Sequence, residues 1–422
     1  MEYSIREHLS QIDSNLFFAF FLLIAASLFW FHFNPDNLGV ANGAYWGYHW
    51  VAIPFEEFGV FNFYTGFPPF LPSFMYLLYY LTGGVWSLFN STYHWIVIAL
   101  NLGVIVFLYK IARLYRTKAE AGLLALVYSV LPEPIRWSWY GLDIFAVLFS
   151  LAAIYSFLSS KRNLAAFFIA IGGLTKLYPL FLLLPVLLSS AKRDAVRMIS
   201  VVVFIVVAIS LPFAVGNLSI YLSDYLWQGN RLPYDSLWRL LSSLGSRLVV
   251  EGNSSPLQQI TALGLKATST LSISSMLGIA LLVSLIEVSI ITKRLTTPEQ
   301  FVRMSTLVVA LVIFWANGFS SQDVVWLIPL LLLSHKPITG AMIGGSLCFV
   351  NILVFPYGEA WYPILGFWAL LIRQILVGSI AVMESGILYS NFQLGQRIPL
   401  LVSRESRSLH LFSKRLKEIS QH

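Results

Sequence analysis

Apolar runs of membrane length follow one another along this 422-residue chain, from about residue 15 to about residue 384. An α-helix needs roughly 20 such residues to cross a hydrocarbon core about 30 Å thick, and a backbone in lipid must satisfy its own hydrogen bonds. The repetition restricts the fold to an all-α polytopic membrane protein. Composition agrees, with 57% hydrophobic and 11% charged residues, against roughly 25% charged in soluble domains. Spanning segments are placed near 15–33, 94–112, 119–132, 143–158, 163–175, 177–190, 198–215, 271–292, 304–318, 323–334, 338–355 and 361–384, about 12 transmembrane helices. The run 16–33 lacks a small-residue cleavage site and reads as a first helix that stays.

Charge orders the loops. If the segments alternate, Arg6, the cluster Lys110, Arg113, Arg116 and Lys118, then Lys161, Arg162, Lys192, Arg193, Arg197, Lys293, Arg294, Arg303, Lys336 and the tail share one face. The positive-inside rule makes that face cytoplasmic, with both termini. The outer face carries ten of the 20 acids and few of the basic residues. This parity requires that 68–89 not cross, and its prolines 68, 69 and 72 and the pair Gly83-Gly84 fit an interfacial or re-entrant helix. The sequons at Asn90, Asn217 and Asn253 fall on the outer face. The chain thus divides into a membrane domain, 1–384, with a first outer loop 34–93 and a large outer loop 216–270, and a basic cytoplasmic tail, 385–422. The net charge of +7 sits in loops and tail and points to no nucleic acid. The lone Cys348 lies in an apolar run and implies no thiol chemistry.

Lys176 is the only charge between Asn163 and Ser190. A lysine at a helix centre costs roughly 2.5–3.5 kcal/mol, so it has a partner or a function by default. Gly172, Gly173 and Pro179 break its run into two short segments meeting at a turn. A cation there suits the phosphate of a lipid-linked substrate; the competing reading is a lysine snorkelling to the interface. Segments 119–132, 163–175 and 177–190 are short of a full span, which leaves a cavity open to the outer face. In the first outer loop Asp36 follows the first helix, where a carboxylate can act as general base toward a sugar hydroxyl, or cap the turn Asn-Pro-Asp-Asn. Glu56 and Glu57 are alternative bases. Tyr45, Trp46, Tyr48, His49 and Trp50 can stack on sugars or form an interfacial aromatic belt. The second outer loop holds Glu133, Arg136 and Asp143, the last at a helix N-terminus that favours a carboxylate. Arg231 is a second candidate phosphate ligand, and Gln322 and Asp323 lie at the outer mouth of a later helix.

Nothing resembles a nucleotide-phosphate loop, a zinc site or a Ser-His-Asp triad. No cofactor or metal is implied, so the energy for bond formation must arrive with the substrate. Taken together, these elements resemble a GT-C-type membrane glycosyltransferase. The elements are YTGFPPFLPSF in the first loop, P-x-x-I…G-x-D across 132–143, G-x-x-K-x-Y-P at Gly173, Lys176, Tyr178 and Pro179, and S-x-Q…W-x-x-P at Ser320, Gln322, Trp326 and Pro329. Within that class the chain is most similar to glycosyltransferase family 87, the polyprenol-phosphate-mannose-dependent α-mannosyltransferases. The resemblance implies inverting transfer of a hexose, mannose in that family, from a polyprenyl-phosphate sugar to a glycan or glycolipid acceptor, outside the cytoplasm. It implies Asp36 as base, with phosphate held by Lys176, Arg231 and Tyr178. Arg136, Asp143, Gln322, Asp323 and His49 would support the site. The first loop departs from the family's Asp-Tyr context, which keeps Glu56 and Glu57 open. A transporter or flippase would show paired halves with broken helices. No second copy of GGLTKLYP is present, but Arg373 and Glu287 inside later helices keep that reading open, as outer-loop arginines do for a polyprenyl-linked polysaccharide ligase.

Overall fold

The structure, a computed structural model, describes residues 14–33, 43–63, 65–140, 142–230, 235–237, 240, 295, 297–316, 320–355 and 364–390. Among these there is no strand. The first half contains α1 (Ser14–Phe33), α2 (Gly43–Gly47), a π-helical turn (Tyr48–Ala52), α3 (Ile53–Phe58), α4 (Phe70–Leu81), α5 (Trp86–Ala112), α6 (Lys118–Val130), α7 (Pro132–Tyr140) and α8 (Asp143–Leu158). Then come α9 (Arg162–Gly173), a 3-10 turn (Tyr178–Leu182), α10 (Leu183–Ser189), α11 (Lys192–Asn230), α12 (Pro298–Trp315), a second 3-10 turn (Ser321–Asp323), α13 (Val324–Ser334) and α14 (Pro337–Ile352). The last helix is α15 (Ile364–Ser390).

Among the described residues, five helices are long and apolar enough to cross a membrane: α5, the Lys192–Gly216 part of α11, α12, α14 with its extension to Phe355, and α15. Every segment placed from sequence outside 271–292 coincides with a described helix. Yet α6, α8, α9, α10 and α13 hold only 13, 16, 12, 7 and 11 residues, so the expected 12 full spans are not met by length. The segment 271–292 lies outside the described residues.

Local sequence explains the boundaries. Thr117 and Glu120 cap α6 reciprocally, and Thr297 and Gln300 do the same for α12. The stretch 68–89 is not one helix: α4 has 12 residues, about 18 Å at 1.5 Å each, and ends in Gly83 and Gly84 at φ 61° and 70°. Three boundaries differ from the sequence expectation. Helix α5 starts at Trp86, which places the Asn90 sequon inside its first turns. Helix α11 continues past residue 216 to Asn230, with non-helical backbone at Asn217, so the large outer loop begins as helix. Helix α15 runs to Ser390, past the 384 boundary.

The core lies along α8, α12 and α13, where most residues are buried. Helix α8 packs on α5 and α9, α9 on α11, α12 on α13, and α1 on α6. Helix α11 is peripheral and turns Val203, Phe204, Val207 and Leu211 outward, as lipid contact demands. At one end Tyr115 Oη and Arg116 Nη2 donate to Leu333 O at 2.8 and 2.6 Å. There Arg303 joins Glu299 and Glu384 at 3.0 Å each, and His335 Nε2 lies 2.9 Å from Glu384. The opposite end gathers the N-terminus of α8, the turn after α9, and the start of α13.

Candidate functional site

The turn after α9 is built by its two glycines. A Cβ on Gly172 would lie 2.9 Å from Pro179 Cβ, and one on Gly173 would lie 2.5 Å from Leu180. Only glycine lets the 3-10 turn fold back this closely on the helix it follows. The backbone N–H groups of Thr175 and Lys176 both close on Gly172 O at 3.0 Å, ending α9 and turning Lys176 inward. Two short segments do meet at a turn here.

Lys176 does not snorkel into water. Its Nζ lies 3.2 Å from Asp143 Oδ1, with the lysine side chain 14% exposed and the aspartate fully buried. Asp143 opens α8, where the helix N-terminus favours its charge. Trp326 Nε1 donates to the same Oδ1 at 2.9 Å. The Tyr178 ring stacks on Trp326, centroids 4.1 Å apart and planes 13° from parallel. Lys176 also sits over the rings of Phe67, at 5.0 Å, and Trp326, at 5.7 Å. Three motifs far apart in sequence therefore meet on one carboxylate. The Pro-Pro element joins them: Phe70 N donates to Leu174 O at 3.1 Å.

Phe67 also lines a small, open cleft. Its walls are the segment before α4, with Phe61, Phe63 and Phe67, and the 213–221 stretch of α11, with Phe213, Ile220 and Tyr221. Phe61 meets Phe213 edge to face at 5.5 Å. The lining is mainly apolar and aromatic, and it shares Phe67 with the Lys176 cluster.

The other sequence-predicted residues divide. Asp36 and Arg231 lie outside the described residues. Glu56 and Glu57 are exposed on α3; Glu56 accepts a hydrogen bond from the Tyr79 hydroxyl, whose pKa that contact pushes up to about 12. His49 is exposed and packs on Tyr45 and Trp86, at 4.4 and 5.4 Å, within the aromatic cluster and not beside Lys176. Asp323 caps the second 3-10 turn, accepting from Ser320 N at 2.9 Å, and Gln322 is half-buried in that turn. Arg136 is engaged by Glu133 at 3.3 Å and by Phe355 O at 2.7 Å, and stacks on Trp137 and Phe355. It is a structural residue here.

Glu133 is fully buried, and burial pushes its carboxyl up to about 7, with Arg136 pulling the other way. The folded state therefore holds its proton where the unfolded chain has lost it. That contribution to stability is full below the ordinary value of 4.5 and is lost as pH rises through about 7. Glu133→Gln is expected to flatten the pH dependence of Tm over that window; an unchanged slope would remove Glu133 as its source. Trp326→Phe keeps the stack on Tyr178 but deletes the donor to Asp143. Loss of a hydrogen bond to a charged group costs about 1.5–3 kcal/mol, to be read as a lower Tm in detergent micelles; an unchanged Tm argues against the anchoring role.

Sequence reasoning did not foresee a second polar cluster beside this site. Arg373, wholly buried in α15, reaches Ser321, Asn351 and Asp235. The available signal was a cation inside an apolar span, the same that exposed Lys176.

The sequence matches no family model and no curated protein. Among solved structures the chain is similar to the apo oligosaccharyltransferase of Archaeoglobus fulgidus, at 13% identity and TM-score 0.43, over 89% of this chain and 56% of that one. It is likewise similar to the archaeal oligosaccharyltransferase AglB from Archaeoglobus fulgidus in complex with an inhibitory peptide and a dolichol-phosphate, at 14% identity and TM-score 0.39, over 88% and 56%. The chain thus spans just over half the length of these proteins.

Proposed function

We propose that this chain is an integral membrane glycosyltransferase of the GT-C type, acting on the extracytoplasmic face. It moves a hexose, mannose by its resemblance to family 87, from a polyprenyl-phosphate sugar to a glycan or glycolipid acceptor. The observation that carries this reading is the junction of the Lys176–Asp143–Trp326 cluster with the aromatic cleft beyond Phe67. In this reading part of an isoprenoid chain lies along the aromatic surface, and the lysine meets the phosphate. An ammonium has three N–H donors; Asp143 takes one and leaves two for phosphate oxygens. The fixed carboxylate orients the cation in a water-poor site, where preorganised charge is most effective.

Transfer is inverting. Asp36 removes the proton from the acceptor hydroxyl, whose oxygen bonds C1 as the C1–O bond to phosphate breaks on the opposite face. The polyprenyl phosphate leaves with one more negative charge, which Lys176 and Arg231 stabilise. Incubating the purified protein with labelled polyprenyl-phosphate mannose and a glycolipid acceptor tests the reaction. Labelled product supports it; movement of intact lipid across vesicles without transfer would favour a flippase.

The proposed sidedness has its own test. Cysteines at Asn62 and Ser254 are expected to label from outside in intact cells, and one at Ser408 only after permeabilisation. The native Cys348 is buried and gives little background. Outside labelling at Ser408 with none at Asn62 would invert the topology.

A further inference from the structure

Arg373 is among the largest fully buried side chains of the protein. A cation in an apolar span is expensive and needs a reason. Its Nη1 donates to Ser321 Oγ at 3.1 Å and to Asn351 Oδ1 at 2.7 Å, and its Nη2 donates to the backbone carbonyl of Asp235 at 2.5 Å. Asn351 Nδ2 in turn donates to Ser321 O at 2.9 Å. Gln374 adds a 3.2 Å bond to Asp235 O, and Ser321 Oγ donates to Asp235 Oδ2 at 3.2 Å. Two of the three partners of Arg373 thus lie outside the α-helices: the 3-10 turn Ser321–Asp323 and the Asp235 piece of the large outer loop. Both lie at the outer end. Asp235 has φ 50°, a left-handed conformation that persists in a non-glycine residue where the surroundings over-determine it.

The turn leads directly into α13, and Trp326 on the first turn of α13 holds Asp143. We propose that Arg373 is a positioning residue. It clamps the Ser321–Asp323 turn and the Asp235 segment to the bundle, and through Trp326 sets where Asp143 holds Lys176. The fork of guanidinium donors suits this; a lysine, one point charge, could not span the three partners. The link to donor use rests on the proposed function, whereas the clamp itself does not.

Hydrogen exchange read by mass spectrometry on the full-length protein in micelles, without substrate, tests the clamp. Arg373→Gln should speed exchange at 235–237 and 320–326 by about tenfold or more, with α8 and α9 unchanged. Unchanged exchange at both segments overturns the clamp, as does an equal rise throughout α8 and α9. If Arg373→Gln does not fold, Ser321→Ala decides, since it removes the hydroxyl without stranding a cation. Faster exchange at 320–326 supports the clamp, and an unchanged rate overturns it. With polyprenyl-phosphate mannose, the folded variant should show a donor KM raised about tenfold and kcat within about threefold. Loosened segments with a wild-type KM would overturn the link to the site. A wild-type protein that does not use this donor would instead refute the proposed function, leaving the exchange result to judge the clamp.

Discussion

Asp143→Ala is expected to destabilise the protein by about 3–5 kcal/mol, the scale for removing one partner of a buried ion pair, and to abolish donor binding. The loss strands Lys176, whose ammonium would keep only the faces of Phe67 and Trp326, and cation–π contact supplies about 0.5–2 kcal/mol. It also strands the indole N–H of Trp326. Adding Lys176→Met to Asp143→Ala should restore most of the stability, because the unpaired charge is gone while the aliphatic stem's packing stays. Donor binding should not return. Unfolding of the two single variants and the double variant in micelles, with retention of labelled polyprenyl-phosphate mannose, gives the coupling directly. Additive losses would mean that the two side chains do not act as a pair, and normal donor retention in the double variant would free the phosphate site from Lys176.

Asp36→Asn is expected to yield a folded, donor-binding protein whose turnover falls about 10²–10⁴-fold, the usual range for a lost general base. The substitution is nearly isosteric and keeps a side chain able to cap a turn, and the proposed phosphate contacts lie elsewhere. Glu56→Gln and Glu57→Gln are the comparison. Both side chains are exposed, and Glu56 is already engaged by Tyr79, so each should retain most activity. Retention of more than about a third of turnover in Asp36→Asn, with loss in either glutamate variant, would move the base to α3. Full activity in all three would remove carboxylate catalysis from the first loop.

The helices were legible because hydrophobic runs and paired glycines act locally. Gly172 with Gly173 marks an end that the structure keeps. Lengths were harder to read. A run such as 163–175 is apolar enough for lipid, but its helix stops where Gly173 and Pro179 permit a fold-back, and α11 continues beyond the apolar run because polar residues also form helix. Site residues were visible one at a time, as a lysine where none is expected or an aspartate at a helix start. Their pairing was not visible. Lys176 could be read as a phosphate ligand or a snorkelling side chain, and neither reading contained Asp143 as its partner. Hydropathy carries no information about which helix ends meet. For the same reason Arg136 resembled a site residue until its bonds to Glu133 and Phe355 appeared, and Arg373 stood out as a charge without revealing its three partners.

The fold-back at Gly172 and Gly173 bears on how the chain is made. On the proposed topology, neither α9 nor α10 is long enough to be inserted alone, so the pair must enter the bilayer as one hairpin with Lys176 at its tip. Carrying that charge through the hydrocarbon is unfavourable by roughly 2.5–3.5 kcal/mol on insertion scales. Synthesis runs from the N-terminus, so α8 is already in place, with Asp143 at its outer end, when the hairpin arrives. The ion pair is then the catch on which the hairpin seats, and α8 serves as its receptor during biogenesis. The same residues that would meet substrate in the mature protein would thereby seat the hairpin during assembly.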